Sequence, residues 1–509
     1  PQTSTKSAFT DYEVFLRIDT GSHSSRIRQL LVTPDNKTLI SAGDDKTIRV
    51  WDIETKTEVR RLLGQIGSGD YGNIQAIALS PGGDYVVVLV WLNPEGTHES
   101  HDRETDVRVY ELATGNLQAG FRFPGELQDL DFSPDGNCIA MVGNPKDTIR
   151  RGHVQVYDTK DILSGFDKAP TPVASNPLYD YSALIPAYVR CVPDKQENSA
   201  GCRIVVATRY ERPTRSGGLL WYSFTDTDGL TKISECQTED KLEPRSLAVS
   251  RELVVVSGNP NKIYCYDHSA KLVASVLTES RPAKPNFSQD GSQLLVGLSG
   301  DSSLGQVNMY DTTLGQFHLK SSYYRHDSEV SAVAMLQDGT AVSAGGNQNE
   351  IHFWNTTHIE GEQTGLIKGV GRDVHAVGIN PLEQIGIGNR DDLFIAGEST
   401  GGEGKRIVLQ RLFDLRSMTL RSLSIEDASS FRRAQKRFGD RELDWMEWYK
   451  NVNLYLLPDR TALTGVPPVG WYGVSTFGFT ENGTVVTGAS DGKIRVAPML
   501  SLIHISEPT

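Results

Sequence analysis

Sulfur is scarce in this 509-residue chain, which has five cysteines and six methionines. Cys138, Cys191, Cys202, Cys236 and Cys265 show no C-x-x-C or related spacing, which excludes a thiolate zinc or iron–sulfur site and leaves no metal site to expect. An odd count cannot pair completely. Cys191 and Cys202 flank the polar loop 192–201 ("VPDKQENSAG"), so a bridge across a hairpin is one reading and two buried free thiols the favoured one. Long apolar runs are missing as well. No stretch approaches the roughly 18 residues a bilayer helix needs, so no membrane span is expected. Basic charge is in deficit, with 51 Lys and Arg against 64 Asp and Glu and a net charge of -13. Neutralising phosphates takes a surplus of cations on one face, so the expectation is no nucleic acid.

Catalytic grammar is absent too. There is no G-x-S-x-G elbow, H-E-x-x-H helix, Walker loop or dinucleotide fingerprint, so no enzyme activity and no cofactor are expected of this segment. The stretch 399–406 ("STGGEGKR") has Gly and Lys but lacks the preceding glycine of a phosphate loop, and reads as a hairpin turn.

What the chain does have is 48 Gly, 23 Pro and an internal period. Residues 23–52 ("HSSRIRQLLVTPDNKTLISAGDDKTIRVWD") read as three short strands joined by hairpins: alternating apolar residues, a Pro-Asp-Asn turn, a second run, an Asp-containing turn, and a third run ending in Trp-Asp. That corner drifts but recurs, as Tyr110-Glu111, Tyr157-Asp158, Tyr266-Asp267, Tyr310-Asp311 and Trp354-Asn355. The last three are evenly spaced, within the roughly 40 to 45 residues of a four-stranded propeller blade. Turns at Thr33, Ser80, Ser133, Ser288, Leu336 and Thr480 keep the same register, with Pro suiting the first corner and Gly a later positive φ. A degenerate unit with strands near Val189 and Ile204 and a corner near Trp221 and Tyr222 brings the count to seven.

This pattern resembles the WD-repeat family, and the resemblance spans most of the chain. It implies an all-β fold: a seven-bladed propeller over residues 11–370, followed by blades of a second, incomplete propeller over 371–500. The segment 13–19 ("EVFLRID") is then expected to supply the outer strand of the last blade and so close the ring, removing exposed sheet edges. Strand-like runs at 373–381, 405–413, 452–459 and 474–499 belong to the second region. Residues 426–450 fit neither a strand nor an amphipathic helix. Residues 501–509 resemble a non-native tail, and with no initiator Met the expectation is a fragment.

The same resemblance assigns His23, Ser41, Asp45 and Trp51 to the family's structural hydrogen-bond tetrad, although Ser, His and Asp alone would also suit a hydrolase. In the seventh unit His326, Ser343 and Trp354 recur, but the turn offers Asn347 or Gln348 and no Asp, which predicts a weaker network. The opening, over roughly residues 12–90, is similar to bacterial proteins that join WD repeats to a caspase-like peptidase. That peptidase domain is not in this chain, since no Cys sits in a "QAC-x-G" context.

The informative departures are long insertions between second and third strands in three neighbouring units. One is acidic, with Glu95, Glu99, Asp102, Glu104 and Asp106. The next two are basic, with Lys146, Arg150 and Arg151, then Arg209, Arg212 and Arg215. His98 and His101 in the acidic loop carry too little to make a metal site. The expectation is an interaction scaffold whose top-face loops bind a protein partner or another domain of the same protein. The alternative is a ligand-binding or enzymatic propeller with titratable groups converging on the central channel.

Overall fold

The computed structural model describes residues 21–369, apart from the connecting segments 65–70, 93–103, 146–151, 165–168, 179–183, 194–200, 211–216, 240–241, 260, 300–304, 314, 327–328 and 347, and beyond residue 376 the backbone of strands up to 497. The chain divides into two compact units, with the boundary after Gly371.

The first unit is a seven-bladed β-propeller. Its blades, over 27–62, 74–123, 125–177, 184–237, 243–277, 281–326 and 330–367, are antiparallel sheets in which the strands follow chain order from the inside out. Six blades have four strands; in blade six the inner strand is broken into Arg281–Pro282 and Asn286–Phe287. All seven corner residues lie in third strands, the degenerate unit included.

Two irregularities recur and explain the repeat grammar. The first is at the corner. In six blades the pairing of third and outer strands slips at the corner aromatic, between Val50 and Trp51, Val109 and Tyr110, Trp221 and Tyr222, Cys265 and Tyr266, Met309 and Tyr310, and Phe353 and Trp354. A bulge there raises the twist and turns the large ring into the space between blades. By this register Tyr222, rather than Trp221, occupies the corner in blade four. The acidic or amide residue that follows closes the turn to the outer strand. Asp52 accepts Thr55 N at 2.7 Å, Asp267 accepts Ser269 N at 2.8 Å, Asp311 accepts Thr313 N at 2.9 Å and Asn355 accepts Thr357 N at 3.1 Å. In blade three Asp158 instead caps a short helix, Thr159–Leu163.

The second irregularity is in the inner strands, where pairing with the second strand slips between Ile27 and Gln29, Ile74 and Ala76, Pro186 and Tyr188, Pro244 and Ser246, and Val330 and Ala332. The turns between these strands are closed by side chains. Thr33 Oγ1 donates to Asp35 at 2.6 Å, Ser133 to Asp135 at 2.6 Å and Ser288 to Asp290 at 2.6 Å. The residue after the acid takes positive φ, as Asn36 (φ 55), Gly136 (φ 74) and Gly291 (φ 73) do, which is why Asn or Gly follows Asp in each turn.

Apolar residues between neighbouring blades make one core layer per interface. Blades seven and one share such a layer, with Ile27, Leu39 and Trp51 against Ala332, Val342 and Phe353. The ring is thereby closed. Closure differs from the expectation in one respect: the outer strand of blade seven is Glu362–Ile367, which follows its own third strand through a short turn. Local hairpin formation closes a far shorter loop than recruiting residues 13–19 would. Those residues lie outside the described residues.

The second unit contains antiparallel sheets over 377–422, 437–463 and 474–497, with four, four and three strands. The last carries the inner-strand bulge between Val474 and Thr476. Residues 426–450, left unassigned by periodicity, contribute strands Arg437–Phe438 and Arg441–Trp445.

Candidate interaction face and central channel

In blade one the second-to-third strand turn carries Asp45, and His23 enters on the segment before the inner strand. Trp51 Nε1 lies 2.7 Å from Ser41 Oγ, Ser41 Oγ lies 2.7 Å from His23 Nε2, and His23 Nδ1 lies 3.0 Å from Asp45 Oδ2. An indole can only donate. Ser41 Oγ accepts the indole proton, and with His23 Nδ1–H directed to Asp45 the Nε2 of the neutral ring accepts the Ser41 hydroxyl. Asp45 also accepts Thr47 Oγ1 at 2.7 Å, Thr47 N at 3.1 Å and Ser24 N at 3.1 Å. Burial pushes the Asp45 pKa up, but the hydrogen bond and charge of His23, with the Thr47 and Ser24 donors, outweigh it and leave the carboxyl below its usual value. Gly43 is required here, because a Cβ would come within 2.8 Å of His23 Nδ1 and 2.9 Å of Asp45 Oδ1. His23 and Ser41 are fully buried. A Ser Oγ closed from solvent and occupied by an indole is not an available nucleophile, so this Ser-His-Asp set is no hydrolytic triad.

Blade seven keeps part of that chain. His326 Nε2 lies 2.7 Å from Ser343 Oγ, and Trp354 Nε1 is 3.3 Å from the same oxygen. His326 Nδ1 is buried and has no hydrogen-bond partner among the described residues. The imidazole stacks on His352, with centroids 4.0 Å apart. Burial, then the neighbouring His352, pushes the His326 pKa well below the usual histidine value.

Because strands alternate in direction, every second-to-third connection leaves the ring on the face that carries the Asp45 turn. In blades two, three and four these hairpins are longer. Their second strands run 8, 8 and 10 residues, against 6, 7, 7 and 5 in blades one, five, six and seven. They extend past the level of Gly43 to Leu92, Pro145 and Tyr210. Of the predicted loop residues, Glu95, Glu99, Asp102, Lys146, Arg150, Arg151, Arg212 and Arg215 lie outside the described residues, as do His98 and His101. Three lie within it. Glu104 is 3.7 Å from Arg122, Asp106 is 2.7 Å from Arg108, and Arg209, half-buried, ends the second strand of blade four opposite Gly217.

The channel holds groups that periodicity did not single out. Asp129 Oδ2 on the inner strand of blade three accepts Val189 N of blade four at 3.1 Å and Arg190 Nη1 at 2.7 Å. Two residues on, Asp131 accepts Cys191 N at 2.8 Å. Burial raises the Asp131 pKa to about 6, against the pull of Arg190. Gln29 likewise bridges to blade two, donating to the Ile77 carbonyl at 2.7 Å, and Ser331 bonds the Ile27 carbonyl across the ring closure. Arg26 meets Glu329 at the same junction at 2.6 Å. A cavity of about 480 Å³ in the channel is lined by Asp131, Arg190 and Lys284 among other residues. The signal was present: "LQDLDF" puts two carboxylates at alternate positions of an inner strand, where blades two and seven have alanines, Ala76 with Ala78 and Ala332 with Ala334.

All five cysteines are free. Cys191 is opposite Ile204 and Cys202 opposite Pro193, so the two are diagonal neighbours and do not face each other directly. The bond to the Cys202 thiol and burial push the Cys191 pKa well up. Among the described residues no cluster of His, Cys, Asp and Glu has the makings of a metal site, and no helix is long and apolar enough to cross a membrane.

The class these features define is the seven-bladed β-propeller, with the hydrogen-bond tetrad of a WD repeat in blade one. The model of the family described as "WD domain, G-beta repeat" matches residues 16–52, which hold the tetrad. Among curated proteins the chain is similar to "Mitochondrial division protein 1" of Mycosarcoma maydis, at 31% identity over 112 residues, 22% of this chain and 12% of that protein. It is similar to "Nuclear distribution protein PAC1" of Meyerozyma guilliermondii at 40% identity over 68 residues, 12% of this chain and 13% of the relative. It is also similar to "Probable U3 small nucleolar RNA-associated protein 18" of Schizosaccharomyces pombe at 25% identity over 120 residues, 23% and 21% of the two chains. The similarity thus spans about a fifth or less of each relative's length. A solved structure, "Structure of U3-55K", superposes with a TM-score of 0.45 at 12% identity, covering 63% of this chain and 89% of that one. All three curated relatives are fungal; a bacterial peptidase fusion is not among these similarities.

Proposed function

We propose that this protein is an interaction scaffold that captures a protein partner, or another domain of its own polypeptide, on the face formed by the second-to-third strand hairpins of blades two to four. The observation that carries this reading is the extension of those three adjacent hairpins beyond the rest of the rim. A ring locked by interblade cores supplies a rigid base for loops of variable sequence, which is where binding residues accumulate. The loop sequences add charge of opposite sign in adjoining sectors, Glu95, Glu99 and Asp102 beside Lys146, Arg150, Arg151, Arg209, Arg212 and Arg215. Such an arrangement fixes the orientation of a partner with the complementary pattern and speeds its encounter. On the resemblance of residues 12–90, a caspase-like peptidase in the same polypeptide is one domain that fits this role.

The test is affinity capture with the full chain and with a variant in which the six basic residues become Ser. The reading expects a protein retained by the wild type, in a salt-sensitive way, and lost from the variant at unchanged thermal stability. Equal retention by both removes the rim as the binding face. Ribonuclease-sensitive capture would replace the protein partner with RNA.

A further inference from the structure

Each blade ends in an outer strand at the circumference of the ring. The free N–H and C=O groups there invite another strand unless charge, proline or a covering segment blunts the edge. Six of the seven outer strands are blunted. Glu58–Leu62 carries Arg60 and Arg61, Leu117–Phe123 carries Arg122, Gly229–Gln237 carries Lys232 and Glu235, and Glu362–Ile367 carries Glu362. Ala174–Pro177 ends in proline. His318–His326 carries Lys320 and Arg325 and is covered as well: Ser322 N donates to the Ile359 carbonyl and Gly361 N to the Ser322 carbonyl, both at 2.8 Å. Blade five is the exception. Its outer strand, Leu272–Leu277 ("LVASVL"), has no charge and no proline, and among the described residues it pairs only with Lys262–Asp267. Leu277 is 72% exposed, Val273 40% and Leu272 38%.

The backbone of this edge is set for a partner. The Lys271 carbonyl accepts Asp267 N at 2.9 Å, and Thr278 N donates to the Asn261 carbonyl at 3.0 Å. Antiparallel alternation between these bonds, with Val273 skipped where the pairing slips, leaves the N–H and C=O of Leu272, Ser275 and Leu277 directed away from the blade. We propose that this edge joins a second copy of the chain, strand against antiparallel strand, about a two-fold axis at Ser275. With Val273 skipped again, that register sets Leu272 of one copy against Leu277 of the other, and Ala274 against Val276. The strand is thus complementary to itself, as a two-fold interface requires. Charge selects the same arrangement. Lys271 precedes the strand and Glu279 follows it, both exposed. Antiparallel pairing brings each Lys271 to the end where the other copy has Glu279, whereas parallel pairing would put like charges together. The edge is on the circumference, apart from the second-to-third hairpins of blades two to four, so its fate does not bear on the scaffold reading.

Analytical ultracentrifugation of the full chain over the micromolar range is expected to show a reversible monomer–dimer equilibrium. Hydrogen exchange at Leu272, Ser275 and Leu277 should slow as the dimer fills. Leu277→Lys puts a charge on the edge and should abolish the dimer at an unchanged thermal midpoint, because this side chain is mostly in solvent in the single chain. Lys271→Glu and Glu279→Lys should each weaken association at least fivefold, since both ends of the two-fold pairing then carry like charges, and the double reversal should restore it. A wild type that stays monomeric overturns the proposal; slow exchange at these amides in that monomer would hand the edge to a segment of the same chain. A dimer that survives Leu277→Lys, or that ignores the single reversals, also overturns it, as does a double reversal no tighter than the singles.

Discussion

The Asp129 carboxylate of blade three accepts the backbone N–H of Val189 in blade four at 3.1 Å. One side chain thereby serves two blades, and the same oxygen receives Arg190 Nη1 at 2.7 Å. Together with the Cys191 N–H donated to Asp131 at 2.8 Å, the bond fixes the relative height of two sheets whose other contacts are largely apolar side chains, which slide more easily than hydrogen bonds.

Replacing Asp129 with Ala leaves a buried N–H and a guanidinium without their acceptor. Breaking one side of a buried pair costs about 3–5 kcal/mol. Asp129→Asn keeps an acceptor for Val189 but no charge for Arg190, and should cost less. Urea denaturation of the two variants checks this; equal losses would mean that the charge contributes nothing.

Asp45→Ala should cost roughly 1–3 kcal/mol, the penalty for orphaning buried donors, here His23 Nδ1, Ser24 N and Thr47. The pH dependence has a definite sign. The folded pKa of Asp45 is lowered, so its contribution is fully present above the unfolded carboxylate value near 3.8 and is lost as pH falls through the lower folded value. An unchanged denaturation midpoint in Asp45→Ala would remove the tetrad from the account of blade-one stability.

Much of this fold was legible because each blade repeats the same local solutions: a turn acid, a residue with positive φ, and an aromatic at a bulge. Blade four was harder to read, since its two adjacent aromatics, Trp221 and Tyr222, are both buried and only the strand register separates their roles. The source of the last outer strand was misread because an alternating apolar segment at 13–19 looks the same whether or not it pairs, and nothing in it competes visibly with Glu362–Ile367. The channel groups escaped because alternation marks which face a residue takes, but not that Asp129, Arg190 and Lys284, on three different blades, converge on one axis.

Gly143 lies at the slip between inner and second strands of blade three, between Val142 and Gly143, and tests that bulge. A Cβ at this position would collide with the Glu126 carbonyl and the Leu127 backbone, and backbone atoms cannot swing aside as a side chain can. Gly143→Ala should destabilise the protein by about 1–3 kcal/mol, the usual range for overpacking a tight site. Gly229, with φ +66 and nothing near its Cβ, is the control: alanine there strains the backbone but meets no atom. If the two variants show the same loss by thermal denaturation, the close approach at Gly143 is not what matters.

His326 and Asp131 should bend the stability curve in opposite directions between pH 4 and 7. His326 is neutral in the fold, its pKa pushed well down by burial and by His352. The unfolded chain therefore takes up a proton near pH 6.5 that the folded one refuses, and stability falls as pH drops below that value, by up to about 1.4 kcal/mol per pH unit. His352, which lies 2.7 Å from Tyr323 OH and 3.1 Å from Glu350, faces His326 from the third strand. Asp131 acts the other way. Its folded value, about 6, is above the unfolded 3.8, so the fold holds the proton more tightly and gains stability as pH falls from 6 toward 4. Between pH 7.5 and 6 the histidine loss is the larger of the two, and proton uptake by Asp131 offsets about half of it. There the urea midpoint of the wild type should fall with pH, while that of His326→Gln, which keeps only the Asp131 effect, should rise slightly. Parallel curves for the two proteins would show that the unpartnered Nδ1 is not the source of acid sensitivity.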